Sequence, residues 1–205
     1  MKRLSVVLSV LLFAAFTAFG CAQMSSMYDS ATGWTTLIDG DKGLENFNRV
    51  GTTNWAIVDG VLQADKRTSK SPAYLVTKNS YKDFQLRVEF WASNDANSGI
   101  FMRCQNPNVI TDKSCYEANI FDTRPDPSQG TGGIPWNASV SVTPLPKAGG
   151  KWNVYEITTK GKQITLVLNG TKTVEFNGAV FESGPIALQH GQGVIRFRKV
   201  QIKEL

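Results

Sequence analysis

The sequence contains few of the residues on which metal and nucleophile chemistry depend. It has one histidine, His190, and three cysteines in 205 residues. Zinc sites need several His and Cys ligands at short spacing, and no such cluster is present. A catalytic Ser/His/Asp arrangement and a glycine-rich phosphate loop are also missing. We therefore expect no metal centre and no dedicated cofactor, although the sequence leaves room for a divalent metal ion.

The excess of positive over negative charge is also small. The 22 Lys and Arg residues and the 17 Asp and Glu residues give a net charge of +5. Lys2 and Arg3 lie in a segment that we expect to be removed, so the mature chain carries 5 − 2 = +3. No basic cluster is interleaved with aromatic residues, and we expect no nucleic-acid partner. The oligomeric state stays open.

Long amphipathic helical segments are absent, and short alternating segments take their place. Every second residue from Phe84 to Phe90 is apolar. Asp59-Gly60 and Asn169-Gly170 each separate two such segments, which is typical of two-residue hairpin turns. In residues 194–202 the apolar parity changes, which indicates a β-bulge near Lys199. This pattern predicts an all-β fold, either a two-sheet antiparallel sandwich or a barrel.

The N-terminus has the layout of an export signal. Two cations precede an uncharged apolar stretch over residues 4–19, which is short for a bilayer span, and Gly20-Cys21 follows. A Cys at this point resembles the bacterial lipobox, in which the thiol is acylated. We predict a lipoprotein signal peptide over residues 1–20, lipidation of Cys21, a flexible tether over 21–33 and one domain over 34–205. Ordinary signal-peptidase cleavage, with Cys21 left free, is the alternative.

These features predict a protein held by a lipid anchor on the periplasmic side of the bacterial envelope. The outer membrane is slightly favoured, because no Asp follows Cys21. In an oxidising periplasm, Cys104 and Cys115 are close enough in sequence to form a disulfide that staples a loop. A metal site is the alternative, but two cysteines without a nearby His are poor zinc ligands.

Residues 116–122 carry the polar group that best fits sugar chemistry. Strand alternation places the apolar side chains of this segment on one face and Glu117 and Asn119 on the other. A carboxylate and an amide on one sheet face can hold sugar hydroxyls. With Asp122, the spacing Glu-x-Asn-x-x-Asp resembles the Glu-x-Asp-x-x-Glu strand of jelly-roll endoglucanases. Alternatively, Glu117 forms an ion pair with Arg103 on a solvated face.

Two basic side chains, Arg103 and His190, could act together with the Glu117 carboxylate. Arg103 shares strand parity with Phe101 and could project from the sheet as a bidentate donor, or could form an ordinary surface salt bridge. His190 ends a strand at a Gly-rich turn, where an imidazole could shuttle a proton, although a lone histidine is often structural. Regular alternation places Gln189 on the face opposite His190.

Further substrate contacts are expected from Gln189, from Asn97 at the start of the Arg103 strand, and from Trp136. Trp136 lies in the long irregular stretch 122–150, which is rich in Pro and Gly. An indole there could stack on a pyranose ring. A long loop with embedded apolar and aromatic residues is predicted to be ordered and functional.

Taken together, these segments resemble the family named for 3-keto-disaccharide hydrolases, over nearly the whole mature chain. The stretches that carry the resemblance are Trp34–Gly40, Trp55–Leu62, Leu75–Lys78, Tyr81–Phe90, Asn97–Phe101, Tyr116-Glu117, Lys151–Asn153, Leu168–Gly170 and Gly184–Gln189. The family is similar to concanavalin-A-like lectins and glucanases. The resemblance therefore implies an antiparallel jelly-roll sandwich with a sugar site on one sheet face, and a carbohydrate partner.

The resemblance also implies a reaction. A ketone at C3 acidifies the C2 proton of a glycoside, a base removes that proton, an electrophile stabilises the enolate, and the C1 substituent leaves. Glu117 would be the base, and Arg103 or His190 the partner. The alternatives are a non-catalytic carbohydrate-binding lipoprotein of the same fold and a structural envelope protein with a degenerate site.

Overall fold

Thirteen β-strands make up nearly all the regular structure of the described residues. The computed structural model describes residues 32–205, so the predicted signal peptide, Cys21 and most of the predicted tether lie outside the described residues. Within these residues no helix has the length and apolarity needed to cross a membrane. The strands are β1 (Thr35–Asp39), β2 (Phe47–Val50), β3 (Ala56–Val58), β4 (Val61–Ala64), β5 (Ala73–Thr77), β6 (Phe84–Ala92), β7 (Asn97–Met102), β8 (Tyr116–Phe121), β9 (Trp152–Lys160), β10 (Gln163–Leu168), β11 (Thr171–Phe176), β12 (Ala187–His190) and β13 (Ile195–Glu204). Short 3₁₀ turns occupy Leu44–Asn46 and Pro127–Gln129.

The strands form two antiparallel sheets, which confirms the predicted sandwich. The large sheet has eight strands in the order β11-β10-β9-β6-β13-β4-β3, with β1 paired to β13 beside that path. The small sheet has five strands in the order β2-β5-β12-β7-β8. Because β5, β12 and β7 are neighbours in space but distant in sequence, the small sheet can bring far-separated residues to one place.

The core lies between the two sheets and is built from alternate residues of each strand. In β6, every second side chain from Phe84 to Phe90 is buried, while the residues between them are exposed or half-buried. The inner face of the small sheet supplies Ile100, Leu188 and Ala118 to the same core. Burial of each large apolar side chain contributes about 1.5–3 kcal/mol, so the alternation fixes which face of each strand turns inward.

The predicted irregularities occur where the sequence places them. The register of β13 against β6 shifts between Phe197 and Lys199, which confirms the bulge and lets Val200 return to the core. Asp59-Gly60 and Asn169-Gly170 both have positive φ, as two-residue hairpin turns require. The alternation does not predict β1 and β2, because these short strands have few buried residues each.

The face of the small sheet turned away from the large sheet, here called the outer face, carries a second apolar cluster. Residues 105–114 form a loop, the disulfide loop, which Cys104 and Cys115 close with the predicted bond across a Cα–Cα distance of 4.3 Å. Ile110 of this loop packs over the outer face. The cluster consists of Tyr74, Val76, Phe101, Cys104, Ile110, Cys115 and Ala187. Both faces of the small sheet are therefore covered.

Replacing Cys104 and Cys115 together with serine should lower the free energy of unfolding by about 3 kcal/mol. The bond joins residues 11 apart in sequence and removes the corresponding loop entropy from the unfolded chain. Chemical denaturation of the oxidised protein and of the double variant measures the difference. Wild-type protein in reductant is the matched control and should lose a similar amount. Equal stability of the oxidised protein and the double variant would contradict the prediction.

Candidate functional site

The candidate site lies on the outer face of the small sheet. In β8 the side chains of Tyr116, Ala118 and Ile120 point into the core, so Glu117 and Asn119 point to the outer face. Asn119 is paired across the strands with Gly99 of β7, and Glu117 is paired with Phe101. The Glu117 side chain is only 8% exposed, beneath the loops that cover this face.

A glycine in the neighbouring strand makes room for the Glu117 carboxyl group. A Cβ atom placed on Gly99 would lie 2.2 Å from Oε1 of Glu117, well inside van der Waals contact. The carboxyl group therefore lies flat across β7 instead of extending away from the sheet. Any side chain at Gly99 would displace the carboxyl group. Glycine in a strand often marks a place where another group approaches the backbone closely, and Gly99 is such a place.

The Glu117 carboxyl group is buried without a partner. Within the described residues it makes no hydrogen bond and no ion pair, so the alternative, an ion pair with Arg103, is not formed. Burial raises the pKa of Glu117 to about 8, the positive charge of Arg124 lowers it, and the negative charge of Asp112 raises it. Removal from water is thus the main cause of the pKa increase. At neutral pH the group is largely protonated and can exchange its proton near that pH.

Gln189 and Tyr74 lie on the same face as Glu117, Gln189 two strands away and Tyr74 three strands away. Gln189 of β12 is opposite Tyr74 of β5, and its Nε2 donates to the Tyr74 hydroxyl at 3.3 Å. The Oε1 atom of Gln189 is buried and has no partner among residues 32–205. The Tyr74 ring meets Phe101 edge to face, with the ring centroids 5.5 Å apart. Burial and the nearby carboxylates of Glu117 and Asp112 raise the pKa of Tyr74.

Asn119 and Asp122, both expected to contact substrate, hold the long loop 122–150 in place. Asn119 Nδ2 donates to the carbonyl of Gln129 at 2.8 Å. The Asp122 carboxylate accepts from the Thr131 hydroxyl at 2.5 Å and from the main-chain N–H groups of 148 and 149 at 3.0 and 2.8 Å. The predicted order of this loop thus has a physical cause, and these polar groups serve the loop.

Trp136 joins the two loops that cover the outer face. Its ring is 72% exposed, and its Nε1 donates to Asp112 of the disulfide loop at 2.5 Å. The Arg124 guanidinium lies 5.9 Å from the Trp136 ring centroid. Arg124 and Asp112 are also the two charges that shift the pKa of Glu117, so the exposed indole contacts both residues whose charges act on the buried carboxyl group.

Arg103 is not brought to this face. Its guanidinium is buried, donates to the main-chain carbonyls of 82, 161 and 181, and forms an ion pair with Asp83 at 2.9 Å. The parity argument fails for a physical reason. Arg103 follows the last residue of β7, Met102, and has a φ of 51°, so strand alternation no longer sets its direction. Four of its five N–H donors are used inside the protein.

His190 points into the core, on the opposite face from Gln189, as regular alternation predicts. Its Nδ1 lies 2.6 Å from the Thr53 hydroxyl and its Nε2 lies 2.9 Å from the carbonyl of Gly193. Its ring meets Trp55 edge to face. Burial lowers the pKa of His190, which favours the neutral imidazole. The small sheet separates it from Glu117.

Asn97 stands two residues before Gly99, so alternation places its side chain on the outer face. Its main-chain carbonyl accepts from the N–H groups of Gly191 and Gln192 and ties β7 to the turn after β12. Within residues 32–205 no group of three or more His, Cys, Asp or Glu side chains could hold a metal ion. Besides Asn119, the outer face carries the polar side chains of Glu117, Gln189, Tyr74 and Asn97.

A family model described as a 3-keto-alpha-glucoside-1,2-lyase-like domain matches residues 33–203. No curated protein matches the chain. Two solved structures from Parabacteroides distasonis, each described as a proposed glycosyl hydrolase, are similar in fold. One has a TM-score of 0.73 at 19% identity and covers 87% of this chain and 96% of its own. The other has a TM-score of 0.67 at 26% identity and covers 84% and 99%.

A carbohydrate-binding module from Bacillus subtilis has the same sandwich fold. Its TM-score is 0.57 at 15% identity, with 84% of this chain and 96% of the module covered. At that identity the similarity concerns the fold. The same sandwich fold thus occurs both in proposed glycosyl hydrolases and in a carbohydrate-binding module.

Glu117→Gln should stabilise the protein at about pH 9 and change its stability little at about pH 5. The pKa of Glu117 rises from its ordinary 4.5 to about 8 on folding, so the folded state binds more protons than the unfolded state between these values. The wild type therefore loses stability as pH rises through this window, by on the order of a few kcal/mol. The glutamine cannot ionise and loses none.

Thermal unfolding across this pH range measures the effect. Glu156 is an exposed residue of β9 in the large sheet. Glu156→Gln is therefore the matched control and should keep the wild-type pH dependence. Parallel profiles for the wild type and Glu117→Gln would contradict the prediction.

Proposed function

The chain belongs to the 3-keto-α-glucoside-1,2-lyase-like family, and from this premise we propose that it is a lyase or hydrolase of 3-keto-glycosides in which Glu117 transfers the proton. The observation that carries the proposal is the Glu117 carboxyl group, buried on a sheet face without a hydrogen bond or ion pair within the described residues. Such a group is available to a substrate, because no protein partner competes for its proton.

The chemistry requires one base and one group that stabilises negative charge. Glu117 takes the proton from C2 of the 3-keto sugar, and the electrons of the C–H bond form an enolate with its charge on the C3 oxygen. The enolate collapses, a C1–C2 double bond forms, and the C1–O bond breaks. The departing oxygen takes up a proton, and the newly protonated Glu117 is a source of one. Addition of water to the unsaturated product gives net hydrolysis.

The environment of Glu117 suits removal of a proton from carbon. A carbon acid next to a ketone is weak, and a base with a pKa near the working pH combines useful strength with a useful ionised fraction. Burial raises the pKa of Glu117 to about 8, near such a value. An exposed glutamate would be a far weaker base at the same pH.

A second candidate is a non-catalytic sugar-binding domain. The observation that favours it is the covering of the outer face, which leaves Glu117 only 8% exposed while Trp136 presents an open indole ring. Aromatic rings of this kind support sugar stacking without any chemistry. The similarity in fold to a carbohydrate-binding module agrees with this candidate.

Glu117→Gln should lower turnover of a 3-keto-glycoside by about 10²–10⁴-fold, the usual contribution of a positioned general base, and should leave binding largely intact. In the wild type, kcat/KM should rise with pH and level off above about 8, because only the carboxylate can accept the proton. Release of reducing sugar or alcohol from a panel of glycosides and their 3-keto forms measures turnover.

Glu156→Gln is the matched control for this experiment and should behave as the wild type. Full activity of Glu117→Gln on a confirmed substrate would exclude Glu117 as the base. Binding without turnover of any substrate would favour the sugar-binding candidate. In that case Glu117→Gln should cost only about 1–3 kcal/mol of affinity.

We also propose that the protein is exported and anchored by an acylated Cys21 on the periplasmic side of the envelope, on the outer membrane by preference. The support is the charged, apolar and small-residue order of residues 1–21. The Cys104–Cys115 disulfide agrees with an oxidising compartment.

Cys21→Ser should release the protein from the membrane fraction or block its processing, because serine lacks the thiol to which the lipid is attached. Fractionation and intact-mass measurement test this. Cys104→Ser is a matched cysteine control and should stay with the membrane. Unchanged membrane association of Cys21→Ser would contradict the anchor.

A further inference from the structure

Gln189 leaves a buried polar atom unused on the face that holds Glu117. The Gln189 side chain is only 7% exposed, and its Oε1 has no donor among the described residues. An unsatisfied buried acceptor costs about 1–3 kcal/mol, so such atoms usually have a partner. The Nε2 atom of the same amide donates to the Tyr74 hydroxyl.

Tyr74 leaves a proton unused beside it. Its hydroxyl oxygen accepts from Gln189 Nε2, and within residues 32–205 the hydroxyl itself donates to no acceptor. The pair therefore presents one free donor and one free acceptor. If the Gln189 amide were rotated by 180°, Gln189 would supply the free donor and Tyr74 the free acceptor. The pair would still present one donor and one acceptor.

The pair is directed toward Glu117. The edge-to-face contact of the Tyr74 ring with Phe101 crosses β12 over the small side chain of Ala187. Phe101 is the strand partner of Glu117. Gly99 lies in the same row as Gln189, and the Glu117 carboxyl group occupies the space where a Gly99 side chain would stand. The carboxyl group and the Tyr74–Gln189 pair thus border one region of the outer face.

We propose that Tyr74 and Gln189 form the polar end of the sugar site, with the Tyr74 hydroxyl donating to the C3 oxygen of a 3-keto sugar and Gln189 Oε1 accepting from a hydroxyl on an adjacent ring carbon. This inference rests on the proposed function. It assigns to Tyr74 the stabilisation of the enolate, a task that Arg103 and His190 cannot perform because both lie away from Glu117 with their polar groups engaged.

The chemistry of the ligand matches the pair. A ring ketone only accepts hydrogen bonds, and in a 3-keto-glucoside it lies between two carbons that carry hydroxyl groups. One free donor next to one free acceptor is the complement of that arrangement. As the C2 proton leaves, the C3 oxygen gains charge, so the hydrogen bond from the phenol strengthens in the transition state.

Tyr74→Phe should lower kcat/KM by about 10²–10³-fold, mostly through kcat, as expected for the loss of one donor to a developing oxyanion. The phenylalanine keeps the ring contact with Phe101. Tyr81→Phe is the matched control. Tyr81 is also buried and packs edge to face on a phenylalanine, but on the core side, and should keep wild-type activity.

Gln189→Met tests the acceptor by binding alone. Calorimetry in the Glu117→Gln background, where turnover is slow, compares a 3-keto-glucoside with its 2-deoxy and 4-deoxy analogues. With Gln189 present, loss of one of the two hydroxyls should weaken binding about tenfold. With Gln189→Met, the parent and that analogue should bind alike.

The outcomes separate this inference from the proposed function. If the wild type turns over 3-keto-glycosides and Glu117→Gln is impaired, while Tyr74→Phe is fully active, the role proposed for Tyr74 and Gln189 is wrong and the proposed function stands. If no 3-keto-glycoside is bound or turned over, both fail. If Tyr74→Phe does not fold, the binding of the deoxy analogues provides the test. The proposal for Tyr74 and Gln189 is wrong if the parent sugar and the analogues differ in affinity by the same factor with Gln189 and with Gln189→Met.

Discussion

The small sheet is buried on both faces, and the site depends on that double burial. Antiparallel sheets commonly leave one face in water. Here Leu75, Ile100 and Leu188 close the core on the inner face, while the disulfide loop and the long loop cover the outer face. Because side chains alternate, the polar residues of the outer face are held between strands and loops, where water screens charge poorly. The pKa of Glu117 and the unused amide oxygen of Gln189 are consequences of this position.

Polar side chains hold the two loops that cover the outer face. Several candidate binding residues therefore form hydrogen bonds to these loops. Asn119 and Asp122 satisfy main-chain groups of the long loop, which has little regular structure of its own to do so. Trp136 and Asp112 then tie that loop to the disulfide loop. Without these bonds the outer face would be wetter, and the desolvation that sets the proton affinity of Glu117 would be smaller.

Local alternation was enough to predict the all-β fold, the hairpin turns, the bulge near Lys199 and the direction of Glu117, because each of these follows from residues adjacent in the chain. The alternation rule cannot extend past a strand end, and Arg103, with its positive φ, lies just beyond one. Tyr74 escaped prediction for a different reason. Its relation to Glu117 requires the order β5-β12-β7-β8, and that order depends on pairings between distant segments that no local pattern encodes.

The state of Glu117 bears on the choice between catalysis and binding. A carboxylate that only accepts hydrogen bonds from sugar hydroxyls works best when ionised, and burial without a partner opposes ionisation. For removal of a proton from carbon the same burial is useful, because it makes the carboxylate a stronger base. The free oxygen of Gln189 and the free proton of Tyr74 are likewise costs to the unliganded protein. The buried carboxyl group of Glu117 thus supports the proposal of proton transfer, whereas the free groups of Gln189 and Tyr74 agree with both proposals, because a bound sugar could pair with them in either case.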